Sequence, residues 1–537
     1  MKSKLLLIAA VVAQSMIASV SFAQRPNLGT AYNFVLFSSN GAVSNTGASL
    51  LTGNIGNNAE MSTAFGNVNG VMHDTDDVTQ QCSADLLLAY NQLAATVPAY
   101  FPTPVFGLDD TITAGVYAIN SAASLSGNYT LNGEGDTNSI FIFQIQGAFS
   151  TDSNSKIKLI NGARACNVFW KIEGKVSMGS YTTMKGTIIA NNGAIVMTKG
   201  DSLEGRALTT TGAITVDGVV AKVPFGFGLP KLIGPKFPKI GQTSCYALYS
   251  ANGAVTNNGV THILGDVGTN VGLSNGFNNQ FVTGLVHPIP DVSTAQTAAD
   301  LGTLYTELNT LNYDIELLYP IQFGHNLELT PHTYLLDAAT SLTDTLFLNA
   351  EGNEDAIFVI QINGALTTSV DARVMLINGT QAKNVFWKVD GAVSISENSI
   401  FNGTIVANNG AIELKSGVIL NGKALTTTGA LATASVTVTS QTDCVLTAIS
   451  DTEVANNESV EVYPNPFKSS TTFKFNNQST LQATQLSIYN MLGTEVRKVT
   501  LNNDVTTVET ANILPGVYLY KLTRNNALIQ SGRLVAE

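Results

Sequence analysis

A ten-residue segment that occurs twice limits most strongly what this chain can fold into. Residues 186–195 read GTIIANNGAI, and residues 403–412 read GTIVANNGAI, 217 positions later. Each copy has a short run of β-branched residues, an Asn-Asn-Gly turn and a second apolar run. β-Branched residues favour strands, and Asn-Gly pairs favour tight turns that need a positive φ. The segment therefore predicts a strand, a corner and the start of another strand.

A much longer duplication surrounds this segment. Residues 27–224 and 242–444 open with matching Asn-Gly-Ala-Val sequences and close with ALTTTGA, at 207–213 and at 424–430. Duplication on this scale indicates two tandem domains of one fold. The segment between them, residues 225–241, is rich in Gly, Pro and Lys, which predicts a linker or a capping arm.

A shorter period of 19 residues lies inside each repeat. Residues 168–170 (VFW) are followed 19 positions later by 187–189 (TII) and then by 206–208 (RAL), which places Trp170 above Ile189. Such a period suits a coil of three short strands, and stacked coils form a parallel β-solenoid with rungs about 4.8 Å apart. These strands are apolar on both sides, so one side must pack against something outside the solenoid.

Two segments with helical periodicity can supply that outer layer. Apolar residues recur at i, i+3, i+4 and i+7 across residues 77–96 and across residues 292–311. Ser293 and Gln296 are predicted to form a capping box at the start of the second segment. We therefore expect one helix to lie along one face of each solenoid.

The beginning of the chain indicates that it is exported, and its overall charge limits the kind of partner that it binds. Residues 1–23 have a positive start, an apolar middle and a small-x-small site before Gln24, which is typical of a secretory signal. No later run of about 20 apolar residues occurs, so we expect no membrane-spanning segment in the exported chain. The net charge of −12 argues against a nucleic-acid partner, because phosphate binding needs clustered Lys and Arg.

The four cysteines of the chain permit disulfides after export. Cys245 and Cys444 flank the second repeat, and a bond between them would tie its ends together. Cys82 and Cys166 would then form the remaining pair, although four cysteines allow three pairings. No two cysteines have the sequence spacing of a zinc site, and we predict neither a metal nor a cofactor.

The end of the chain differs in composition from the repeats. A polar and acidic linker, residues 445–459, precedes residues 460–537, whose strand-like segments and turns predict a small antiparallel β-sandwich. Its sequences VYPNP (462–466), IYN (488–490) and LPGVY (514–518) resemble those of a type IX secretion sorting domain. The resemblance implies that the secretion machinery is a partner, and that the protein ends up secreted or attached to the outer cell surface.

The two repeats resemble the ice-binding-like family of secreted microbial proteins. The resemblance rests on NVFW at 167–170, GTIIA at 186–190 and GRALTTTGA at 205–213, with Lys423 replacing Arg206 in the second repeat. It implies a β-solenoid with an accompanying helix, and it implies ice as the ligand. The expected fold is therefore mainly β, with two tandem irregular parallel β-solenoids, a long helix beside each, and a C-terminal sandwich.

Ice binding needs a flat and rigid face whose hydroxyl and methyl groups order water, and stacked threonines supply both groups. Strands and corners favour threonine in any case, so a purely structural role is the alternative. Lys175, Glu413 and Lys415 are expected to point outward on one strand, so that either another face binds ice or the second repeat binds it poorly. The candidate ice-binding residues are Thr46, Thr187, Thr209, Thr211, Thr256, Thr404, Thr426 and Thr428.

Two other classes of protein fit parts of the sequence. A cell-surface adhesin or glycan-binding protein would also be exported, and it would gain avidity from duplication. A polysaccharide-degrading enzyme would need convergent acids and bases. Asp74, Asp76 and Asp77 follow His73, but His287 in the second repeat lacks such a cluster, which favours solvated loop carboxylates. We therefore predict a non-enzymatic ice-binding protein, with the adhesin as the alternative.

Overall fold

The computed structural model describes residues 24–224, 232–440, 460–475, 484–490, 494–509, 513–524 and 527–537. The chain divides into two compact units, Met1–Leu446 and Thr447–Glu537. Within the first unit, residues 24–224 form the first solenoid and residues 232–440 form most of the second. The predicted signal, residues 1–23, lies outside the described residues.

Each solenoid has three faces, because a full turn of the chain contributes three parallel strands. We name them the helix-covered face, the short-strand face and the third face. In the first solenoid the helix-covered face consists of the strands Phe34–Ser38, Asn54–Asn57, Met72–Asp74, Gly115–Ile119, Phe141–Ile145 and Val168–Glu173. The short-strand face consists of Val43–Asn45, Val105–Gly107, Ala123–Ser126, Phe149–Thr151, Val176–Ser177, Ile195–Met197 and Ile214–Val216. The third face consists of Leu50–Thr52, Asp110–Thr113, Asn128–Asn132, Lys156–Ile160 and Val220–Lys222, and two longer strands, Thr183–Asn191 and Ser202–Thr209, run from it onto the helix-covered face.

The second solenoid repeats this arrangement. Its helix-covered face consists of the strands Tyr246–Ser250, Asp266–Thr269, Ile315–Glu316, Thr333–Leu336, Phe358–Ile362 and Val385–Val389. Its short-strand face consists of Val255–Asn258, Ser274–Asn275, Phe323–Gly324, Thr340–Thr343, Leu366–Thr368, Val393–Ile395, Ile412–Leu414 and Leu431–Ala434. Its third face consists of His262–Leu264, Val282–Thr283, Glu328–Leu329, Thr345–Asn349, Arg373–Ile377 and Thr437–Thr439, and two longer strands, Ile400–Ala407 and Ile419–Thr426, run across two faces. Short 3₁₀ turns lie at Gly29–Asn33, Ala165–Asn167, Gly241–Ser244, Asn279–Phe281, Pro320–Gln322 and Ala382–Asn384.

The chain does not wind each solenoid from one end to the other. The first strand of each repeat pairs with the last long strand, so that Leu36 lies beside Ala207 and Leu248 lies beside Ala424. A helix of 19 residues then carries the chain toward the opposite end. Such a helix is roughly 28 Å long, which equals about six rungs at 4.8 Å.

The spacing of the rungs is less uniform than the 19-residue period predicts. Ile188 pairs with Ala207, 19 positions away, but Trp170 pairs with Ile188, only 18 positions away. The predicted stacking of Trp170 on Ile189 is therefore wrong by one residue. The prediction that one side of these strands packs outside the solenoid is confirmed, since Ile188 packs in the solenoid core and Ile189 packs in the cluster under the helix.

The two helices cover Asp77–Ala95 and Val292–Thr310, in agreement with the periodicity. In the first solenoid, the buried side of the helix packs against the outward apolar residues of the covered face. The members of this cluster include Leu86, Ala89 and Leu93 from the helix and Ile142, Phe169, Ile189 and Leu208 from the strands. This contact explains why those strands are apolar on both sides.

The ends of the helices are held by polar groups that recur in both repeats. The capping box of the second helix is formed by Asp291 and Thr294, not by the predicted Ser293 and Gln296. Ser293 lies one residue inside the helix, where its hydroxyl hydrogen-bonds the Tyr246 hydroxyl at 2.8 Å. Asp is a better cap here because its carboxylate accepts from the third helical N–H.

Solenoid side chains also bind the carboxyl ends of the helices. Gln144 Nε2 donates to the carbonyl oxygen of Leu93 at 2.8 Å, and Gln361 Nε2 donates to that of Leu308 at 2.7 Å. Both glutamines are buried. They satisfy carbonyl groups that a helix cannot satisfy internally.

The predicted Cys82–Cys166 disulfide is wrong, because both residues are buried free thiols. Cys82 lies on the inner side of the first helix, whereas Cys166 lies in a short 3₁₀ turn before a strand. Burial raises the pKa of both thiols, and nearby arginines only partly offset this effect for Cys166. The other predicted pair includes Cys444, which lies outside the described residues, so that pairing stays a prediction.

The two solenoids meet end to end. Asn69 is buried at this joint, and its side-chain oxygen accepts a hydrogen bond from the Tyr334 hydroxyl at 2.7 Å. The side-chain amide of Asn67 donates to the carbonyl oxygen of Tyr319 at 2.8 Å. Val71 packs against the apolar core of the second solenoid. The joint therefore combines apolar contact with satisfied buried polar groups.

The second unit is a small antiparallel sandwich. Its strands are Val460–Tyr463, Ser470–Phe475 and Val505–Glu509 in one sheet, and Thr484–Asn490, Glu495–Leu501, Gly516–Arg524 and Ala527–Ala536 in the other. Phe473 and Leu486 contribute to its core from the two sheets. Among the described residues, no helix has the length and apolar character needed to cross a membrane.

Candidate functional site

The short-strand face presents small side chains to solvent. Each of its strands alternates, so that flanking residues point into the core and the middle residue points outward. Ile195 and Met197 are buried, for example, while Val196 between them is partly exposed. The same alternation holds for Ile214, Thr215 and Val216. Small residues at the outward positions make this face flat.

In the first solenoid the outward residues form one continuous column. Pairing between rungs is in register, so that Thr215 lies between Val196 and Ser44. The full column runs Val105, Ser124, Ser150, Ser177, Val196, Thr215, Ser44 and Thr63. All eight side chains are uncharged, and six of them carry a hydroxyl group.

A second column, made almost entirely of alanine, lies beside the first. Its residues precede each short strand, and their carbonyl oxygens accept hydrogen bonds from the neighbouring rung; Ile195 N donates to Ala213 O at 2.9 Å. The column contains Ala122, Ala148, Lys175, Ala194, Ala213 and Ala42 in the first solenoid, and Ala339, Ala365, Ala392, Ala411, Ala430 and Ala254 in the second. These alanines were missed because single alanines carry no functional signal until the rungs are aligned.

The second solenoid carries charges in the middle of the equivalent face. Its outward column runs Ser341, Thr367, Ser394, Glu413, Ala432, Thr256 and Asn275. Glu413 is exposed, and Lys415 follows it on the same rung. Ser394 Oγ donates to the Glu413 carboxylate at 3.3 Å. One charged rung therefore interrupts an otherwise neutral face.

Four of the eight predicted threonines are accessible to solvent on or beside this face. Thr46 is exposed just beyond the outward Ser44, and Thr256 is half-buried within the outward column of the second solenoid. Thr211 and Thr428 are exposed at corners, each two residues before an alanine of the second column. The structure therefore brings Thr46 and Thr256 onto the face and puts Thr211 and Thr428 at its edge.

The other four predicted threonines are buried, and we remove them from the candidate surface. Thr187 and Thr404 point toward the helix-covered side, where Arg206 Nη1 donates to Thr187 Oγ1 at 3.2 Å. Thr209 and Thr426 are also buried. A hydroxyl inside the fold cannot contact a solid ligand.

Thr209 and Thr426 hold the corners together instead. Thr209 Oγ1 donates to the carbonyl oxygen of Gly193 at 2.8 Å, and Thr426 Oγ1 donates to that of Gly410 at 2.7 Å. Both glycines belong to the Asn-Asn-Gly corner of the preceding rung. Thr209 and Thr426 therefore have a structural role at the corners, which was the alternative to ice binding.

The third face of the first solenoid has a different character. Lys158 is exposed there, and Lys185 forms an ion pair with Glu204 at 2.7 Å, with both side chains partly exposed. Lys222 is also exposed on this face. Charged groups hold water strongly, so this face is a poorer surface for ice than the short-strand face.

Arg206 and Lys423 are buried cations at equivalent positions of the two solenoids. Arg206 donates from Nε to Tyr32 O at 2.7 Å and lies 4.2 Å from the centre of the Tyr32 ring. Lys423 Nζ donates to the carbonyl oxygen of Ser244 and to the hydroxyl of Ser440. Burial lowers the pKa of Arg206 to about 10 and the pKa of Lys423 to about 7. These contacts tie the turn before the first strand of each repeat to its last long strand, which is a structural role.

The acidic cluster near His73 also has a structural role. Asp76 caps the first helix and lies 2.7 Å from His73 Nδ1. Burial alone would raise the pKa of Asp76, but hydrogen bonds from Thr79 and His73 outweigh burial and lower it. The second repeat has a counterpart to only one member of this cluster, the helix cap Asp291, which lies 2.5 Å from His287 Nδ1. Within the described ranges, no group of three or more His, Cys, Asp or Glu residues is arranged to hold a metal ion.

Two family models match this chain. The ice-binding-like family matches residues 37–221 and 249–442, and the secretion system C-terminal sorting domain matches residues 461–537. The match confirms the predicted sorting domain and indicates type IX secretion.

Two individual relatives each match a length of about one repeat. An ice-binding protein of Nostoc sp. (strain HG1) is 40% identical over 197 residues, which cover 35% of this chain and 71% of that protein. An ice-binding protein of Flavobacterium frigoris (strain PS1) is 27% identical over 215 residues, covering 37% of this chain and 76% of that protein.

A crystal structure covers both solenoids. It shows an ice-binding protein from an Antarctic bacterium of the Flavobacteriaceae, is 54% identical, and covers 78% of this chain and 98% of its own, with a TM-score of 0.77. The predicted fold class is thereby confirmed. The chain belongs to the ice-binding-like family, with two such domains followed by a secretion system C-terminal sorting domain.

Proposed function

We propose that this protein binds ice, and that it does so through the short-strand faces of its solenoids. The observation that carries the proposal is the pair of adjacent columns, one of alanine and one of Ser, Thr and Val, along the first solenoid. Relatives and a solved structure that cover one repeat or both are named ice-binding proteins.

The physical basis is a rigid lattice of small groups. The rungs repeat about every 4.8 Å, so methyl and hydroxyl groups recur at a fixed spacing along the face. The face is stiff because its backbone is held by ladder hydrogen bonds and its inward residues, such as Ile195 and Ile214, are fully buried. Ala, Ser and Thr side chains also lose little conformational freedom on adsorption.

Under this proposal the two solenoids contribute unequally to ice binding, and their charges indicate which contributes more. Glu413 stands in the central column of the second solenoid, whereas Lys175 stands only in the alanine column of the first. A carboxylate keeps its hydration shell and resists transfer to an ordered lattice. We therefore assign the larger contribution to the first solenoid.

Adsorption of this kind needs no catalytic group, and we propose that the protein is not an enzyme. The only observations that support the adhesin alternative are export and duplication, and an ice-binding protein has both of these features. Nothing in the names of the relatives supports a glycan ligand.

The test is a bulky substitution at the centre of the face. Thr215→Tyr projects an aromatic ring from the middle of the uncharged column, and it should abolish most of the thermal hysteresis and recrystallisation inhibition of the purified protein. Thr130→Tyr, at a partly exposed position on the third face, is the matched control and should leave both activities unchanged. Equal activity of Thr215→Tyr and the unmodified protein would refute the assignment of this face.

A second variant tests the order of the two solenoids. Glu413→Thr combined with Lys415→Ser removes the charged rung and should raise ice activity. The rise should persist in the Thr215→Tyr background, because it arises on the other solenoid. An unchanged activity in both backgrounds would show that the second face does not contribute.

A further inference from the structure

The joint between the solenoids uses only one end of each. In the first solenoid the joint lies at the end with Met72–Asp74, and in the second it lies at the end with Ile315–Glu316 and Phe323–Gly324. The opposite end of each solenoid has no further rung stacked on it in the described part of the chain. We infer that these two open ends bind each other between copies, so that the second solenoid of one copy docks onto the first solenoid of the next.

The open end of the second solenoid matches the end that the first solenoid uses at the joint. Val71 O accepts from Ile55 N at 3.1 Å, and Leu285 O accepts from Val267 N at 2.8 Å, so Val71 and Leu285 are equivalent. Val71 is half-buried against the second solenoid, while the side chain of Leu285 is 65% exposed. The open end thus presents the apolar residue that the joint covers.

The polar residue of this end also has an equivalent. Asn69 O accepts from Gly53 N at 2.9 Å, and Thr283 O accepts from Gly265 N at 2.9 Å. Asn69 supplies the oxygen that binds the Tyr334 hydroxyl in the joint. Thr283 is exposed and carries a hydroxyl that can accept the same kind of hydrogen bond.

The open end of the first solenoid matches the end that the second solenoid uses at the joint, which we call the receiving end. Tyr117 is equivalent to Tyr334, since the hydroxyl of each donates to a threonine carbonyl four residues earlier, at 2.6 and 2.7 Å. Tyr100 stacks on Tyr117 with ring centres 4.7 Å apart and is 46% exposed. In the second solenoid, Ile315 is the equivalent of Tyr100, because Ile315 pairs with Tyr334 and Tyr100 pairs with Tyr117. Ile315 is only 5% exposed. The receiving end is therefore present but uncovered.

Ten exposed large apolar side chains lie at or next to these two ends. Such clusters on a protein surface mark interaction sites. They are Tyr100, Phe101, Val105 and Leu108 on the first solenoid, and Val260, Leu264, Val271, Leu273, Leu285 and Ile289 on the second. A second copy of this chain is the partner that offers both complementary ends.

The symmetry of this contact decides the kind of assembly. Because the contact joins two different ends, it is heterologous, and repeating it produces an open row of copies. The net charge of −12 on each copy opposes the contact, so salt should strengthen it by screening. A row of copies would carry many ice-binding faces and gain avidity, but the inference does not depend on the proposed function.

The experiment blocks one end at a time in the full chain. Leu285→Asp places a charge on the open end of the second solenoid, and Phe101→Asp places one on the open end of the first. Val370→Asp is the matched control, because Val370 is 55% exposed away from both ends. Analytical ultracentrifugation as a function of protein concentration and salt measures association, and circular dichroism confirms that each variant is folded.

The expected result is specific to a head-to-tail contact. The unmodified protein and Val370→Asp should form oligomers of increasing size with concentration, and each end variant alone should be monomeric. A mixture of Leu285→Asp and Phe101→Asp should form a 1:1 dimer and nothing larger, because one intact pair of ends remains. A monomeric unmodified protein at all concentrations, or oligomers of either end variant, would overturn the inference. Thermal hysteresis of the monomeric variants tests ice binding separately.

Discussion

The buried Lys423 should make the stability of the second solenoid depend on pH. Its side chain lies in the fold with 3% exposure, and its ammonium group donates to Ser244 O and Ser440 Oγ. Burial lowers the pKa of Lys423 from 10.5 to about 7 in the folded protein. The unfolded chain keeps the ordinary pKa and therefore holds the proton over a range in which the folded chain has released it.

The sign and size of the effect follow from this difference. Between pH 7 and 10.5 the unfolded state binds more protons than the folded state, so the free energy of unfolding rises with pH. Below pH 7 both states are protonated and the cost of the buried charge is fully present. With a limiting slope of about 1.4 kcal/mol per pH unit, Lys423 should add about 2.5 kcal/mol of stability between pH 6 and pH 9.

Urea unfolding at pH 6 and at pH 9 measures this difference. Trp387 is buried in the second solenoid and reports its unfolding by fluorescence, and a Trp170→Phe background removes the signal of the first solenoid. Lys423→Arg is the matched variant, because the first solenoid carries Arg206 at the equivalent position, and an arginine stays charged across this range. The stability gain between the two pH values should be about 2.5 kcal/mol smaller in Lys423→Arg than in the parent.

Two outcomes would refute this reasoning. One is an equal pH dependence in the parent and in Lys423→Arg, which would assign the titration to other groups. The other is a loss of stability from pH 6 to pH 9 that disappears in the variant, which would mean that the folded state favours the charged lysine. Lys423→Met provides a second comparison if arginine does not fit the site.

Two further predictions concern structural hydrogen bonds. Thr426→Val should lower the free energy of unfolding by about 1–3 kcal/mol, because it leaves the carbonyl of Gly410 without its buried donor, while ice activity stays unchanged in a thermal hysteresis assay. Gln361→Leu should cost a similar amount by removing the donor to Leu308 O, and hydrogen exchange should then become faster in the last turn of the second helix than in its first turn. Unchanged stability in either variant would contradict the corresponding bond.

Much of the fold follows from local patterns in the sequence. The duplicated segment at 186–195, the short internal period and the helical periodicity of 77–96 are all local, and each predicts its element without knowledge of distant contacts. The helix at Asp77–Ala95 ends within one residue of the predicted segment. The need for an outer layer also followed from the sequence, because a strand that is apolar on both sides needs apolar partners both in the solenoid core and outside it.

The orientation of individual side chains could not be predicted in the same way. A strand alternates with a period of two, so a shift of one residue exchanges its inner and outer faces. The coil from Trp170 to Ile188 has 18 residues where the period predicts 19, and only pairing between rungs reveals the difference. The burial of Thr187 and the free thiol of Cys82 likewise depend on where the helix lies.

The sequence by itself thus determined the number of domains of this kind, the solenoid and its covering helix, because repetition and periodicity are written along the chain. Only the tertiary structure decided which surface is flat, neutral and exposed. The alanine column that includes Ala194 and Ala213 is created by stacking residues that lie 19 positions apart. A binding surface of this kind belongs to the register between rungs, and register is set by contacts that no single rung contains.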